Sequence, residues 1–395
     1  MMFVRRDVLV DLEIGIPKTW DDILEAVPIL QANNMEIGMH QDYKIFLYQM
    51  GGELFADDGM RINLDSNVGL EAFDTMCSYF TMYSFPVSYD FANRFRTGEM
   101  PIGFSGYTGT YNQLTVFATE IDGLWEFYPM PGLYEYDKAG NPIIDETTGE
   151  HKINNVAVST STAIVMMADG YGMPDDEDPD MRPPQEVIDQ RLRSWDFMVW
   201  HVGFECQRDY ANEMVAIMGP SAKHSTANKR ALFEMPWTTK ELTQLRAQFE
   251  NLASIPNYPG SYIIGRYTNF AFLAAYNDNA NPIVEMQSYI STINKEITRK
   301  RAEFGLETLE LGQTLLEKRL GQAQEAYELD IDDMSDAQIS AAAGALQMMK
   351  DGIRKENTEM LDAAANMFAA LDANGFARTI TALRNAETVM IKYQQ

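Results

Sequence analysis

The residues best suited to chemistry lie between Met100 and Gly132, where Gly103, Gly106 and Gly109 lead into Tyr107, Tyr111 and Asn112. Glycines at that spacing let a backbone turn tightly and approach another molecule closely. Tyrosine joins an apolar ring face to a hydroxyl, which suits a sugar ring with its C–H patches and rim of hydroxyls. The chemistry is recognition rather than catalysis. A nucleophile elbow around Ser105 would need glycine where Tyr107 stands, and a phosphate loop would need a lysine after its glycines. The competing use of the two tyrosines is to fill the gap between a strand and a helix.

The elements that must position these residues alternate. Met100–Phe104 reads as a buried strand, and the tyrosines follow its end, where α/β proteins usually bind ligands. Upstream, Trp20–Asn33 carries Ile23, Leu24, Val27 and Leu30 at helical spacing, with Thr19 as cap and Pro28 as a kink or early boundary. Ile45–Met50 and Val68–Tyr83 are further helical patterns. Between them stand a turn at Asp57-Asp58-Gly59, a short strand at Arg61–Leu64 and a cap at Asp65 or Ser66. Phe91–Thr97 is a short helix. Tyr134–Lys152 reads as a surface hairpin or extended loop, and Val156–Met166 as a strand. Helices are expected over Pro184–Trp200, Glu205–Ala216, Asn228–Phe233, Glu241–Ala253, Asn269–Tyr276 and Pro282–Phe304. Such alternation indicates an α/β layered fold. Beyond Gly305 the texture becomes alanine-, methionine- and leucine-rich helix, with Leu346, Met349, Ile353, Met360 and Met367 at coiled-coil-like spacing, Ala363 and Ala370 in support and Glu356 interrupting.

With 395 residues the chain can bury a large core in two or three domains. Its formal charge of −27 argues against a nucleic-acid partner and against adhesion to an anionic membrane. No apolar run approaches the roughly 20 residues of a membrane helix. The opening MMFVRRDVLV lacks the apolar core and cleavage site of an export signal, so the chain taken alone reads as cytosolic. The two cysteines, Cys77 and Cys206, fit neither a disulfide scaffold nor a zinc site. His40, His151, His201 and His224 have no metal spacing. The run Asp175–Asp180 reads as a Pro-bounded acidic surface loop rather than a calcium site, and Asp372-Ala373-Asn374-Gly375 lacks the closing glutamate of an EF-hand because Leu383 stands there. No cofactor, metal or catalytic residue is expected.

Five segments, in order, resemble the extracellular solute-binding proteins of bacterial ABC sugar importers, in their maltodextrin-binding-like branch. They are MFVRRDVLVDLEIGIPKTW from Met2, QMGGELF from Gln49, YDFANRFRTGEMPIG from Tyr89 running on through the aromatic turn, NEMVAIMGPSAKHSTAN from Asn212 and PGSYIIGRYTNFAF from Pro259. The resemblance covers roughly Met1 to Gly305 and implies an α/β, two-lobe periplasmic-binding-protein-like fold of type II. The second lobe would be nearly complete, and the first would lack its opening strands together with the export signal. It divides the chain into second-lobe residues 1–156, a first-lobe segment 157–235, a return to the second lobe over 236–305 and a helical tail 306–395, about which the resemblance says nothing. Cys77 and Cys206 would fall on different lobes, so both thiols are expected to be free.

The resemblance also assigns ligand contact. Gln41 and Tyr43, in His40-Gln41-Asp42-Tyr43, sit where the family's second lobe reaches its ligand, although Asp42 could simply cap a helix there. Arg266, Tyr267 and Asn269 occupy the entry to a helix where the family carries ligand-facing aromatics, and an arginine fork can bind paired hydroxyls. Glu213, near Met218, closes the cleft from the first lobe. Trp195, Trp200 and Trp237 are expected in core or interlobe packing, with Trp125 covering the lobe. The implied function is binding of an oligosaccharide or other small solute for delivery to importer permease subunits. The protein would be extracellular, tethered to the membrane only through a lipid anchor absent from this chain. The rivals are an interaction or sensory protein using the tail and remnant lobe, a non-sugar solute, and an enzyme, for which no nucleophile, acid–base pair or metal site is found.

Overall fold

The computed structural model describes residues 1–308 apart from 138, 147, 161, 168 and 173–180, and beyond them 320, 324, 327, 331, 335–355, 360 and 363. The chain divides into two compact units, Met1–Asn294 and Lys295–Gln395.

The first unit is built on a four-stranded mixed sheet. Strand β1 (Met2–Arg5) is followed at once by helix α1 (Arg6–Asp11), then α2 (Trp20–Ala32), β2 (Ile37–Gly38), α3 (Lys44–Gln49), β3 (Phe55–Ala56) and β4 (Arg61–Ile62). Next come α4 (Asn67–Thr81), α5 (Phe91–Thr97), β5 (Ile102–Phe104), α6 (Tyr107–Phe117) and β6 (Trp125–Tyr128). The sheet order is β2-β5-β1-β6, with β1 antiparallel to both neighbours and β2 parallel to β5. Met2, Phe3 and Val4 are wholly buried, as a strand covered on both faces requires. Arg5 closes that strand: its guanidinium donates to the carbonyls of Phe95 and Arg96 at 3.0 and 2.9 Å and pairs with Asp7 at 2.6 Å. Burying such a cation is tolerable because its donors are matched.

Local signals hold at the helix starts. Thr19 and Asp22 form a capping box on α2, and Ser66 rather than Asp65 caps α4 by accepting from the Gly69 amide at 3.1 Å. Pro28 neither ends nor shortens α2, which continues to Ala32. Trp20 packs on Phe46, Tyr79 and Phe104, with ring centroids 4.7, 5.5 and 5.1 Å away. The aromatic turn differs from expectation. It is the first turn of α6 with Gly106 at the cap position, so Tyr107, Tyr111 and Asn112 are helical residues.

After β6 a hairpin of β7 (Leu133–Tyr134) and β8 (Ile153–Asn154) covers the segment expected to be one. The expected strand Val156–Met166 shrinks to β9 (Ala157–Ser159), paired in parallel with β10 (Leu252–Ser254). A strand persists only where its amides and carbonyls find a ladder, and β10 offers three residues. Between these strands lie α7 (Gln185–Val202), α8 (Phe204–Met218), α9 (Lys229–Phe233) and α10 (Thr239–Phe249). After β10 come α11 (Ile264–Asp278) and α12 (Pro282–Glu303). Helix α10 therefore ends short of the expected Ala253, which lies in β10, and α11 starts five residues before the expected Asn269.

The tryptophans divide. Trp237 is buried, but Trp195 and Trp200 on α7 are 56% and 60% exposed, correcting the expectation that they pack in a core. Helix α7 packs against α8 but has no fully buried residue. Cys77, buried in α4, and Cys206, in α8, are free thiols, and burial pushes the Cys77 thiol up to about 12. In the second unit, α13 (Asp336–Lys355) buries Ala342, Ala345, Leu346 and Met349, a helical stripe at three- and four-residue steps. Of the tail stripe, Met367, Ala370 and Glu356 lie outside the described residues, as do Asp372–Gly375 and the acidic run Asp175–Asp180.

Candidate ligand-binding site

Strands β9 and β10 run in parallel, so both carboxyl ends open the same way, the end at which α/β folds hold ligands. There Ser159 and Thr160 from one strand, and Ser254 to Asn257 from the other, form one wall of a cavity of about 680 Å³. The loop after β2 contributes a second wall with Gln41, Asp42, Tyr43 and Lys44. Leu54, Phe55, Phe73 and Met76 form an apolar floor, and one face of α11 closes the remaining side.

The wall at Gln41 to Lys44 is set by short local bonds. Gln41 donates to the carbonyl of Val87 at 3.1 Å. Asp42 accepts from the Lys44 amide and pairs with the Lys44 ammonium, both at 3.2 Å, so these opposite charges meet each other. Tyr43 stands edge-on to Phe73, centroids 5.9 Å apart. Its hydroxyl lies behind the wall, sealed from the cavity and with no hydrogen-bond partner among the described residues, and burial pushes its pKa well above the usual phenol range. Behind this wall Gln49 acts as a brace. Its amide accepts from Trp20 Nε1 at 2.7 Å and donates to the carbonyls of Pro131 and Val156 at 2.9 and 3.0 Å, tying α3 to the approach of β9. On the opposite wall Ser159 donates to the Ala253 carbonyl at 3.3 Å, and Ser261 donates to Asn257 Oδ1 at 2.8 Å.

Of the residues expected from sequence, Gln41, Tyr43 and Asn269 line this cavity together. Arg266 and Tyr267 share α11 with Asn269 but do not line it; Tyr267 instead meets Phe270 and Tyr289 at 5.8 and 5.1 Å. Glu213 is exposed on α8.

Tyr107, Tyr111 and Asn112 belong to a different cluster. Tyr111 is buried among Trp125, Phe127 and Trp237, and its hydroxyl accepts from Lys223 at 2.9 Å. The Lys223 ammonium lies 4.4 and 4.1 Å from the ring centroids of Tyr111 and Trp237, with Glu241 at 3.6 Å. Burial lowers the lysine's pKa, against the pull of Glu241. Asn112 donates to the Lys223 carbonyl at 2.5 Å, and Tyr107 meets Phe249 edge-on at 5.7 Å. Apart from Asn112 Oδ1, buried with no hydrogen-bond partner among the described residues, these polar groups are spent within the protein, holding α6 to the segment before α9. A second cavity of about 410 Å³ adjoins the cluster, lined by Trp125, Glu126, Lys240 and Glu241 among others. Trp125 covers this side of the sheet, as expected, packing on Phe3 at 6.0 Å.

Sequence reading missed Ser159, Thr160, Ser254, Asn257 and Thr268. Short polar residues just after a strand are the available signal, but any turn carries them. Among the described residues no group of acidic, histidine and cysteine side chains is placed to hold a metal. No described helix is long and apolar enough to cross a membrane.

No protein-family model and no curated protein matches this sequence. Solved structures do match. The sugar-binding protein MalE from the phytopathogen Xanthomonas citri aligns over 78% of this chain and 70% of its own, with a TM-score of 0.53 and 14% identity. The cyclic alpha-maltosyl-1,6-maltose binding protein from Arthrobacter globiformis aligns over 75% of this chain and 70% of its own, with a TM-score of 0.50 and 13% identity. At such identities the likeness is one of fold: the chain has the α/β, periplasmic-binding-protein-like architecture that its sequence segments resemble.

Proposed function

We propose that this chain is a non-catalytic carbohydrate-binding protein, serving an ABC-type importer outside the cytoplasmic membrane. Its ligand would lie in the cavity between the loop after β2 and helix α11. The observation that carries this reading is a cavity of about 680 Å³ whose walls set short hydroxyls and side-chain amides against an apolar floor. Such a lining matches the hydroxyl rim and C–H faces of a sugar ring. The rest of the lining fits a neutral polyhydroxylated solute. Gln41, Asn257 and Asn269 offer amides, Ser159, Thr160 and Ser254 offer hydroxyls, and the charges of Asp42 and Lys44 cancel each other. The apolar floor of Phe55, Phe73 and Met76 suits C–H faces.

The fold likeness to two sugar-binding proteins supports the same class of ligand. Arg266 and Tyr267 enter this reading as contacts made from α11 beside the cavity, Glu213 as a contact made from α8, and Tyr107, Tyr111 and Asn112 as the support that fixes α6. The organisation into residues 1–156, 157–235, 236–305 and 306–395 is part of the same proposal. Thermal denaturation with a panel of maltotriose, cyclic maltosyl-maltose, hexoses, polyols and dipeptides tests it. A ligand at a hundred times its dissociation constant stabilises the folded state by about 2.7 kcal/mol, so a binding saccharide shifts the melting temperature by several degrees. A shift with dipeptides and none with any saccharide overturns the carbohydrate assignment.

A further inference from the structure

The face that the 3-10 turn Ser261–Ile263 and the following α11 present to the cavity consists of two rows at four-residue spacing. Ile264, Thr268 and Phe272 form the inner, buried row, and Ser261, Gly265 and Asn269 form the outer one. Rows at that spacing lie one above another on a helix, so Gly265 is a bare stretch of backbone between two polar side chains.

Two structural reasons usually place a glycine: a positive φ, or a neighbour so close that no Cβ fits. Neither applies here. Gly265 is not among the glycines with positive φ, and a Cβ built on it meets nothing within 4 Å. Gly265 is the second residue of α11, just after the 3-10 turn Ser261–Ile263, and neither packing nor backbone geometry requires a glycine there. Gly109 in α6 has equally open surroundings but lines neither large cavity.

We propose that Gly265 is a specificity-determining residue of the cavity: its bare backbone is the platform against which one sugar ring of the ligand lies flat, with Ser261 and Asn269 holding hydroxyls at the two ends. The inference rests on the carbohydrate reading above. It makes the absence of a side chain the feature that admits a saccharide longer than one ring.

The test is calorimetric titration of the full chain and of Gly265→Ala and Gly265→Leu with maltotriose and with glucose, together with their melting curves. Both variants are expected to fold, and Gly265→Ala to melt about 2 °C higher, because alanine favours the helix and its methyl enters open space. Maltotriose affinity is expected to fall about tenfold with alanine and at least about a hundredfold with leucine, one added methylene in a binding pocket being worth about tenfold or more when it blocks the ligand. Glucose affinity should change less. Binding by the unaltered chain with undiminished maltotriose affinity in Gly265→Leu overturns the inference and leaves the carbohydrate reading standing. No heat from the unaltered chain with either sugar overturns both.

Discussion

Replacing Tyr43 with phenylalanine removes one oxygen from behind the cavity wall and should raise stability while leaving binding nearly unchanged. The Tyr43 hydroxyl is buried with no hydrogen-bond partner among the described residues, while the ring keeps its edge contact with Phe73. Burial of an unpartnered hydroxyl costs about 1–3 kcal/mol. Tyr43→Phe leaves the ring contact intact and removes this cost, so the variant should gain about 1 kcal/mol, or about 2–4 °C in melting temperature for a unit of this size. The oxygen is closed off from the cavity, so a saccharide meets only the ring, and maltotriose affinity should change less than about twofold. Scanning calorimetry without ligand and titration with maltotriose read the two effects separately. A variant that melts lower, or that binds maltotriose about fivefold or more weakly, would refute the reasoning.

Further outcomes follow from other parts of the structure. Gln49→Leu strands Trp20 Nε1 and the carbonyls of Pro131 and Val156; urea unfolding should show a loss of about 3 kcal/mol. Gly103→Ala places a Cβ 2.0 Å from the Phe91 ring in the middle of the sheet, so overpacking should cost about 1–3 kcal/mol in the same assay. Lys223→Met removes a buried cation held over two rings and beside Glu241; a loss of about 2 kcal/mol is expected, and an unchanged midpoint would contradict the role given to that cluster. His224, whose ring nitrogens are buried without partners, has its pKa lowered by burial. A lowered folded-state pKa makes its contribution present above the ordinary histidine value and lost as pH falls through it, so His224→Phe should lose less stability than the unaltered chain between pH 7.5 and 5.5.

What was legible in the sequence was what neighbouring residues decide. Thr19 with Asp22 and Ser66 with Gly69 mark helix starts within three residues, whereas Gln41, Tyr43 and Asn269 rest on the family resemblance rather than on local pattern. What was not legible depends on partners far along the chain. Tyr111 carries the same ring and hydroxyl whether it faces a ligand or Lys223, and Lys223 lies 112 positions away. Strand β9 is only as long as β10 allows, and that pairing joins Ala157 to Leu252. Helix α7 has the amphipathic pattern of a core helix, yet Trp195 and Trp200 stay exposed, because a pattern states which face is apolar and not what covers it. The serine, threonine and asparagine residues after β9 and β10 become a binding wall only once the two strands are side by side.

The most direct test of the account is a crystal structure of the chain with maltotriose at saturating concentration. The account predicts the saccharide in the cavity between Tyr43 and α11, with one ring against Gly265 and hydroxyls bonded to Ser261 and Asn269. A saccharide seated instead in the cavity beside Tyr111, Trp125 and Lys240, or no bound saccharide anywhere on the protein, would contradict it.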